Sequence, residues 1–185
     1  MIDFRGIPDS RRAYHTLLAA SFGIAYVSDF RHLQVHVIAG YGAGLLILLR
    51  LLAEAVTARR GMFADYIFSA KEVLAHWKEL AAGRMHRMGA HNPSSGSMAL
   101  LLTAFVSATF LSGIAVYGAK ELEGPAAGLL LSSAWWLGSS LETLHGILAR
   151  VTLAFVALHI TGAVYESVRG RRNWIRTVFV DNKEK

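Results

Sequence analysis

Apolar residues gather into four long segments of this 185-residue chain, at 13–28, 35–53, 98–119 and 144–164. A helix crosses the hydrocarbon core of a bilayer with about 20 residues, so each segment approaches spanning length. The third carries no charge at all and is the clearest. The second holds Arg50 near its end, and the fourth holds Arg150 and two histidines. The first is short and includes His15; it spans only with help from interfacial residues or a thin bilayer. Ser10-Arg11-Arg12 ahead of it resembles a signal peptide. A cleaved signal would normally precede a soluble domain, however, and three further apolar segments follow here.

Two shorter stretches follow other patterns. In residues 68–82, Phe68, Val73, Leu74, Trp77 and Leu80 alternate with Lys71, Glu72, Lys78 and Glu79, which predicts an amphipathic helix on the membrane surface. Residues 125–140 hold Leu129 to Leu131 and Trp135-Trp136 without a charge, and suit an interfacial or partner-facing segment.

Charge placement orients the spans. Arg5, Arg11 and Arg12 precede the first, and Arg59, Arg60, Lys71, Lys78, Arg84 and Arg87 follow the second. The tail adds Arg169, Arg171, Arg172, Arg176, Lys183 and Lys185, whereas the other connections offer only Arg31 and Lys120. By the positive-inside rule both termini are cytoplasmic. The expectation is therefore all-α: one domain, residues 1–185, forming an integral membrane four-helix bundle. A short cytoplasmic amphipathic helix joins spans two and three.

Composition narrows the chemistry. Only 17% of residues are charged and 54% are hydrophobic, against about 25% charged in soluble domains. Cysteine is absent, which excludes disulfides, iron–sulfur clusters, thiolate haem ligation and covalent c-type haem. The formal charge of +6 sits where anionic lipid headgroups are its partner, not nucleic acid.

Eight histidines remain. His145 and His159 are fourteen residues apart, which is near four helical turns, so both lie on one face, roughly 21 Å apart along the axis. Ionisable groups inside a span are costly and rarely idle. The topology places His36 at the depth of His145, and His15 at the depth of His159. Each layer thus has one histidine from the fourth span and one from another, as bis-histidine b-type haem ligation in a four-helix bundle requires. A lone histidine at a helix end is more often hydrogen-bonded than ligating; four in two matched layers are harder to explain that way. Arg50 is fourteen residues after His36, in the cytoplasmic layer, where it neutralises a haem propionate or snorkels to the headgroups. Arg150 points away from the histidine face. Gly40, Gly42 and Gly44 permit either close helix packing or a flat macrocycle against the backbone. His32, His76 and His86 read as surface residues, and Asn92-Pro93 after His91 as a helix entry.

These residues resemble the bacterial cytochrome b561 family, which includes b-type cytochrome subunits of nickel–iron hydrogenases. The resemblance runs from Arg12 to about Lys183. The family's Arg-x-x-His-Trp opening appears as Arg12, Ala13, Tyr14 and His15, with Thr16 in place of tryptophan. His36, Gly40 and Arg50 match the second span. The Gly-His-Asn-Pro turn appears with Ala90 before His91, Asn92 and Pro93. Leu144-His145 and Leu158-His159 match the fourth span and are the most specific element.

The resemblance implies His15, His36, His145 and His159 as axial ligands of two b haems per chain. It also implies electron transfer across the bacterial inner membrane, between a periplasmic c-type cytochrome or oxidoreductase subunit and the quinone pool. Tyr14, His91 and Arg50 are the candidates for a quinone site. A stand-alone superoxide:quinone oxidoreductase of the same fold, and a non-catalytic membrane anchor, are the alternatives. Whether the chain acts alone, as a homodimer or within a larger complex stays open, as does whether it is an enzyme in its own right.

Overall fold

The computed structural model describes residues 8–28, 31–57, 69–82, 93–130 and 135–169. The described residues contain six helices: α1 (Pro8–Ser28), α2 (Leu33–Thr57), α3 (Ala70–Ala81), α4 (Pro93–Lys120), α5 (Ala127–Leu130) and α6 (Trp135–Arg169). Among these residues there is no strand.

Three helices are long and apolar enough to cross a membrane: Leu33–Val56, Pro93–Lys120 and Trp135–Tyr165. The 21-residue α1 also has a span's length, but Asp9, Arg11 and Arg12 lie in its opening turns and it is less apolar than these three. Large side chains such as Ile38, Leu48, Leu111 and Ile160 are exposed along the long helices, as a lipid-facing surface requires. Hydroxyls within the helices are satisfied locally. Ser97 donates to the Pro93 carbonyl at 2.8 Å and Thr103 to Ala99 at 2.8 Å, a turn back in each case. Such internal pairing is what an apolar surrounding demands.

Two boundaries differ from the expectation. Residues 135–140 were expected in a separate interfacial segment; they form the first turns of α6, which runs for 35 residues from Trp135, not from 144. At 1.5 Å per residue such a helix is roughly 52 Å long and outruns a 30 Å hydrocarbon core. Only α5 remains as a separate element. A turn with Leu122 (φ 57°) and Gly124 (φ 78°) leads into it. A Cβ on Gly124 would also press within 2.8 Å of the Tyr41 hydroxyl.

The amphipathic helix forms as α3. Ser69 caps it: the Glu72 amide donates to Ser69 Oγ (3.2 Å), while the Ser69 amide and hydroxyl both donate to the Glu72 carboxylate (2.7 Å each). This is a capping box, two helix-entry donors satisfied reciprocally. Those hydrogen bonds hold the exposed Glu72 carboxyl below its ordinary pKa. Phe68 and His86 lie outside the described residues, as do Ala90, His91 and Asn92; Pro93 opens α4, where its missing N–H costs nothing.

Packing is closest within two helix pairs, α1 with α2 and α4 with α6. The pairs meet more sparsely, chiefly through α2 and α4. At that crossing Gly44 is buried, and a Cβ there would run into the Phe110 ring.

Candidate functional site: two histidine pairs between the helices

The four histidines singled out in the sequence come together two by two. His36 of α2 and His145 of α6 have ring centroids 5.9 Å apart, edge to face at 87°. His15 of α1 and His159 of α6 have centroids 6.3 Å apart, tilted at 45°. The separation along α6 is the roughly 21 Å that fourteen residues give.

The His36–His145 layer has a built surrounding. His36 Nδ1 lies 2.8 Å from the Ala25 carbonyl oxygen of α1. His145 Nδ1 lies 3.0 Å from the Thr109 carbonyl and 3.0 Å from Ser112 Oγ, both on α4. A carbonyl only accepts, so Nδ1 carries the proton in both rings and the lone pair falls on Nε2. Ser112 in turn donates to the Thr109 carbonyl at 2.8 Å. Gly113 lets the His145 ring lie against α4: a Cβ there would meet His145 Cε1 at 3.0 Å.

An open cleft adjoins this pair, lined by both histidines with Phe22, Tyr26, Gly40, Tyr41, Phe110 and Tyr117 among others. Among the described residues no aspartate, glutamate, lysine or arginine lines it. Nothing lies within 4 Å of the place a Gly40 Cβ would occupy. The three glycines of α2 therefore divide their roles. Gly44 serves helix packing, Gly42 faces Ser21 of α1 at 3.4 Å, and Gly40 faces the cleft. At its edge Tyr117 donates to the Glu123 carboxylate, and nearby Lys120 pairs with Glu142 at 2.7 Å.

Beside the second layer lies a polar group. Arg50 Nε is 2.6 Å from Glu54 Oε1, and the guanidinium carbon stands 5.8 Å from the centre of the Tyr14 ring, within cation–π range. Tyr14 precedes His15 in α1. Arg50 thus lies at the depth expected for it, already engaged by a carboxylate. Arg150, on the other face of α6, folds back so that a Cβ on Gly146 would lie 3.4 Å from its Nη1.

Between the layers α4 and α6 are joined by Thr109 and Thr152, whose hydroxyl oxygens are 3.0 Å apart. Thr152 is fully buried and lies seven residues from each of His145 and His159. Phe105 and Phe155 stack beside it with centroids 4.9 Å apart.

Several of these residues escaped the sequence reading. Glu54 had a signal: it follows His36 by eighteen residues, five full helical turns, and so shares its face. Ser112, Gly113 and the threonine pair had none, because their role depends on how α4 docks against α6.

Long apolar helices with histidines paired between them define the class, a helical membrane protein whose ionisable groups are gathered between its helices. The family model for prokaryotic cytochrome b561 matches residues 8–179, and the chain belongs to that family. It is accordingly a membrane b-type cytochrome of electron transfer, and its family implies binding of haem b. Comparison with curated proteins and with solved structures returns no match.

The residues fit such a group. Two imidazoles on opposite sides of one metal, each bonded at about 2 Å, have ring centres about 6 Å apart, and both pairs meet that distance. Nδ1–H donation to a carbonyl is the usual second partner of a metal-bound histidine. Among the described residues no cluster of three or more histidine, aspartate or glutamate side chains forms. A haem iron asks only two ligands of the protein.

Proposed function

We propose that this chain is a di-haem b-type cytochrome that carries electrons across the bacterial inner membrane, between a periplasmic redox partner and the quinone pool. His36 and His145 hold one haem, and His15 and His159 hold the other. The observation that carries this reading is the two-layer pairing: α6 contributes one ring to each pair, and a different helix supplies each opposite ring.

In this reading α1, α2, α4 and α6 all span, and both termini face the cytoplasm. The bound haem supplies reversible one-electron redox chemistry, and the chain supplies placement and electrostatics. The Ala25 and Thr109 carbonyls fix the tautomers and orientations of His36 and His145. Gly40 and the aromatic walls of the cleft leave room for a flat macrocycle. Arg50 and Tyr14 offer the quinone site at the His15 end; His91, the third candidate from the sequence, lies outside the described residues. Leu129 and Trp135, 87% and 86% exposed, present an uncharged apolar surface on the opposite side for a periplasmic c-type cytochrome or oxidoreductase subunit.

The test is a pyridine haemochrome assay on purified protein, followed by re-oxidation of the reduced protein with a quinone analogue. About two b haems per chain and rapid re-oxidation are expected. One haem, or none, refutes the two-layer assignment.

A further inference from the structure

The His15 end of the bundle contains an acid that the electron-transfer reading does not use. Glu54 lies on α2, inside the apolar Leu33–Val56 stretch, and its side chain is only 8% exposed. A carboxylate there is costly, and retention in such a place marks function more often than not. Its surroundings are specific. Arg50 meets it at 2.6 Å from one turn away on the same helix. Tyr14 of α1 lies under the Arg50 guanidinium at 5.8 Å. The next residue after Tyr14 is His15, whose ring faces His159. One carboxyl, one guanidinium and one phenol are therefore gathered where α1 and α2 meet, beside one histidine pair.

A simple i,i+4 ion pair at a helix end offers a bland account of Arg50 and Glu54. It does not account for the burial of the carboxylate, because exposed pairs gain little and buried ones carry a desolvation cost. A proton-transfer group does account for it, since such a group must be shielded from bulk water yet reach its substrate.

We propose that Glu54 is the proton donor to the quinone bound at this end of the bundle. The proposal rests on the quinone reading above and names the group that completes its chemistry. Reduction of a quinone to a quinol consumes two electrons, delivered by the reduced cytochrome, and two protons. The Glu54 carboxylate, paired with Arg50 at rest, first takes a proton from water at the membrane surface and then passes it to a quinone oxygen: the carboxyl O–H breaks as the quinol O–H forms. The carboxylate left behind is held by Arg50 until water at the membrane surface re-protonates it, and the cycle repeats for the second proton. In this scheme Arg50, itself part of the site, holds the Glu54 carboxylate, and Glu54 exchanges the proton with the substrate.

The test uses the purified haem-loaded protein with Glu54→Gln and Glu54→Asp. Pre-reduced protein is mixed with decylubiquinone, which takes up protons, or with ferricyanide, which takes up none. Glu54→Gln is expected to keep the wild-type spectrum, haem content and ferricyanide rate, and to lose roughly 100-fold with the quinone, the lower range for general acid catalysis. Glu54→Asp restores most of the rate. A redox-induced infrared difference spectrum should show a carboxylic-acid band in the wild type that is missing from Glu54→Gln. Equal slowing with both acceptors, or with neither, overturns the proposal while leaving the quinone reading intact. A wild type that reacts with ferricyanide but never with quinone overturns both. If Glu54→Gln fails to load haem, Glu54→Asp and the wild-type infrared band decide: a redox-linked carboxyl signal supports the proposal, and its absence refutes it.

Discussion

Gly40→Leu separates a cofactor cleft from a merely loose helix crossing. Among the described residues, and its own helix backbone apart, no heavy atom lies within 4 Å of a Cβ built on Gly40, and the residue lines the cleft beside His36 and His145. In the chain without cofactor a leucine therefore enters open space. It also removes a glycine from a helix interior, which favours the helix by about 1 kcal/mol. Apoprotein stability should hold or rise. With a macrocycle in the cleft the same side chain overpacks the site, at a cost of typically 1–3 kcal/mol. That converts to a roughly 5- to 150-fold weaker hold on one haem of the two. The assay is haem release to excess apomyoglobin, followed optically. Wild type should release in two phases, and Gly40→Leu should accelerate one phase by that factor and spare the other. Gly44→Ala is the control. Its Cβ collides with Phe110 in the protein itself, so it should destabilise the chain with or without haem. Unchanged release of both haems from Gly40→Leu, or an equal loss of apoprotein stability in the two variants, would refute the assignment of the cleft.

The histidine pairs make a selective prediction: alanine at His36 or His145 removes one haem, alanine at His15 or His159 removes the other, and haemochrome stoichiometry falls from about two to one in every case. Ser112→Ala takes away one of the two acceptors near His145 Nδ1. Haem release from that layer should rise about 10-fold, the low end for loss of such a partner, while the other layer keeps its rate. Thr152→Val preserves shape but ends the contact with Thr109 Oγ1, and thermal unfolding in detergent should show a loss of about 0.6 kcal/mol, the usual scale for hydrogen bonds between membrane helices. The α3 cap carries a pH dependence. Hydrogen bonds from Ser69 depress the Glu72 pKa, so its contribution is full above the unfolded-state pKa and disappears as pH falls through the folded-state one. Amide exchange in the first turn of α3 should quicken over that acidic window, and Glu72→Gln should flatten the response.

How far the sequence spoke for itself depends on the kind of signal. Periodicity and span length located α2, α4 and α6 because lipid imposes a simple rule on them. Depth, read from the placement of arginine and lysine, correctly paired His36 with His145 and His15 with His159, although these residues are far apart in the chain. The start of α6 was misjudged because Trp135-Trp136 reads as an interface whether or not the backbone is helical; tryptophan reports depth, not conformation. The division of labour among Gly40, Gly42 and Gly44 was undetermined in sequence, since each lacks a side chain equally and only the neighbouring helix tells them apart. The same holds for Ser112 and Gly113, which matter only because α4 presses them against the His145 ring.

The geometry of α6 explains why both pairs belong to one helix. Two sites stacked along a bundle need a fixed separation and a fixed facing, and a single helix sets both through one integer, the fourteen residues from His145 to His159. Each residue adds 1.5 Å and turns the face by about 100°. One residue more or less would move the second ring only slightly in depth but would swing it about a quarter of a turn, away from α1. The tolerance is thus angular, not axial, and the midpoint carries the constraint: Thr152, seven residues from each histidine, is fully buried and held against Thr109 of α4. Locking the middle of the helix against rotation holds both rings in register at once. The opposing partners, His15 on α1 and His36 on α2, then need only be carried by an antiparallel pair that presents one histidine at each depth, which the close packing of α1 with α2 provides.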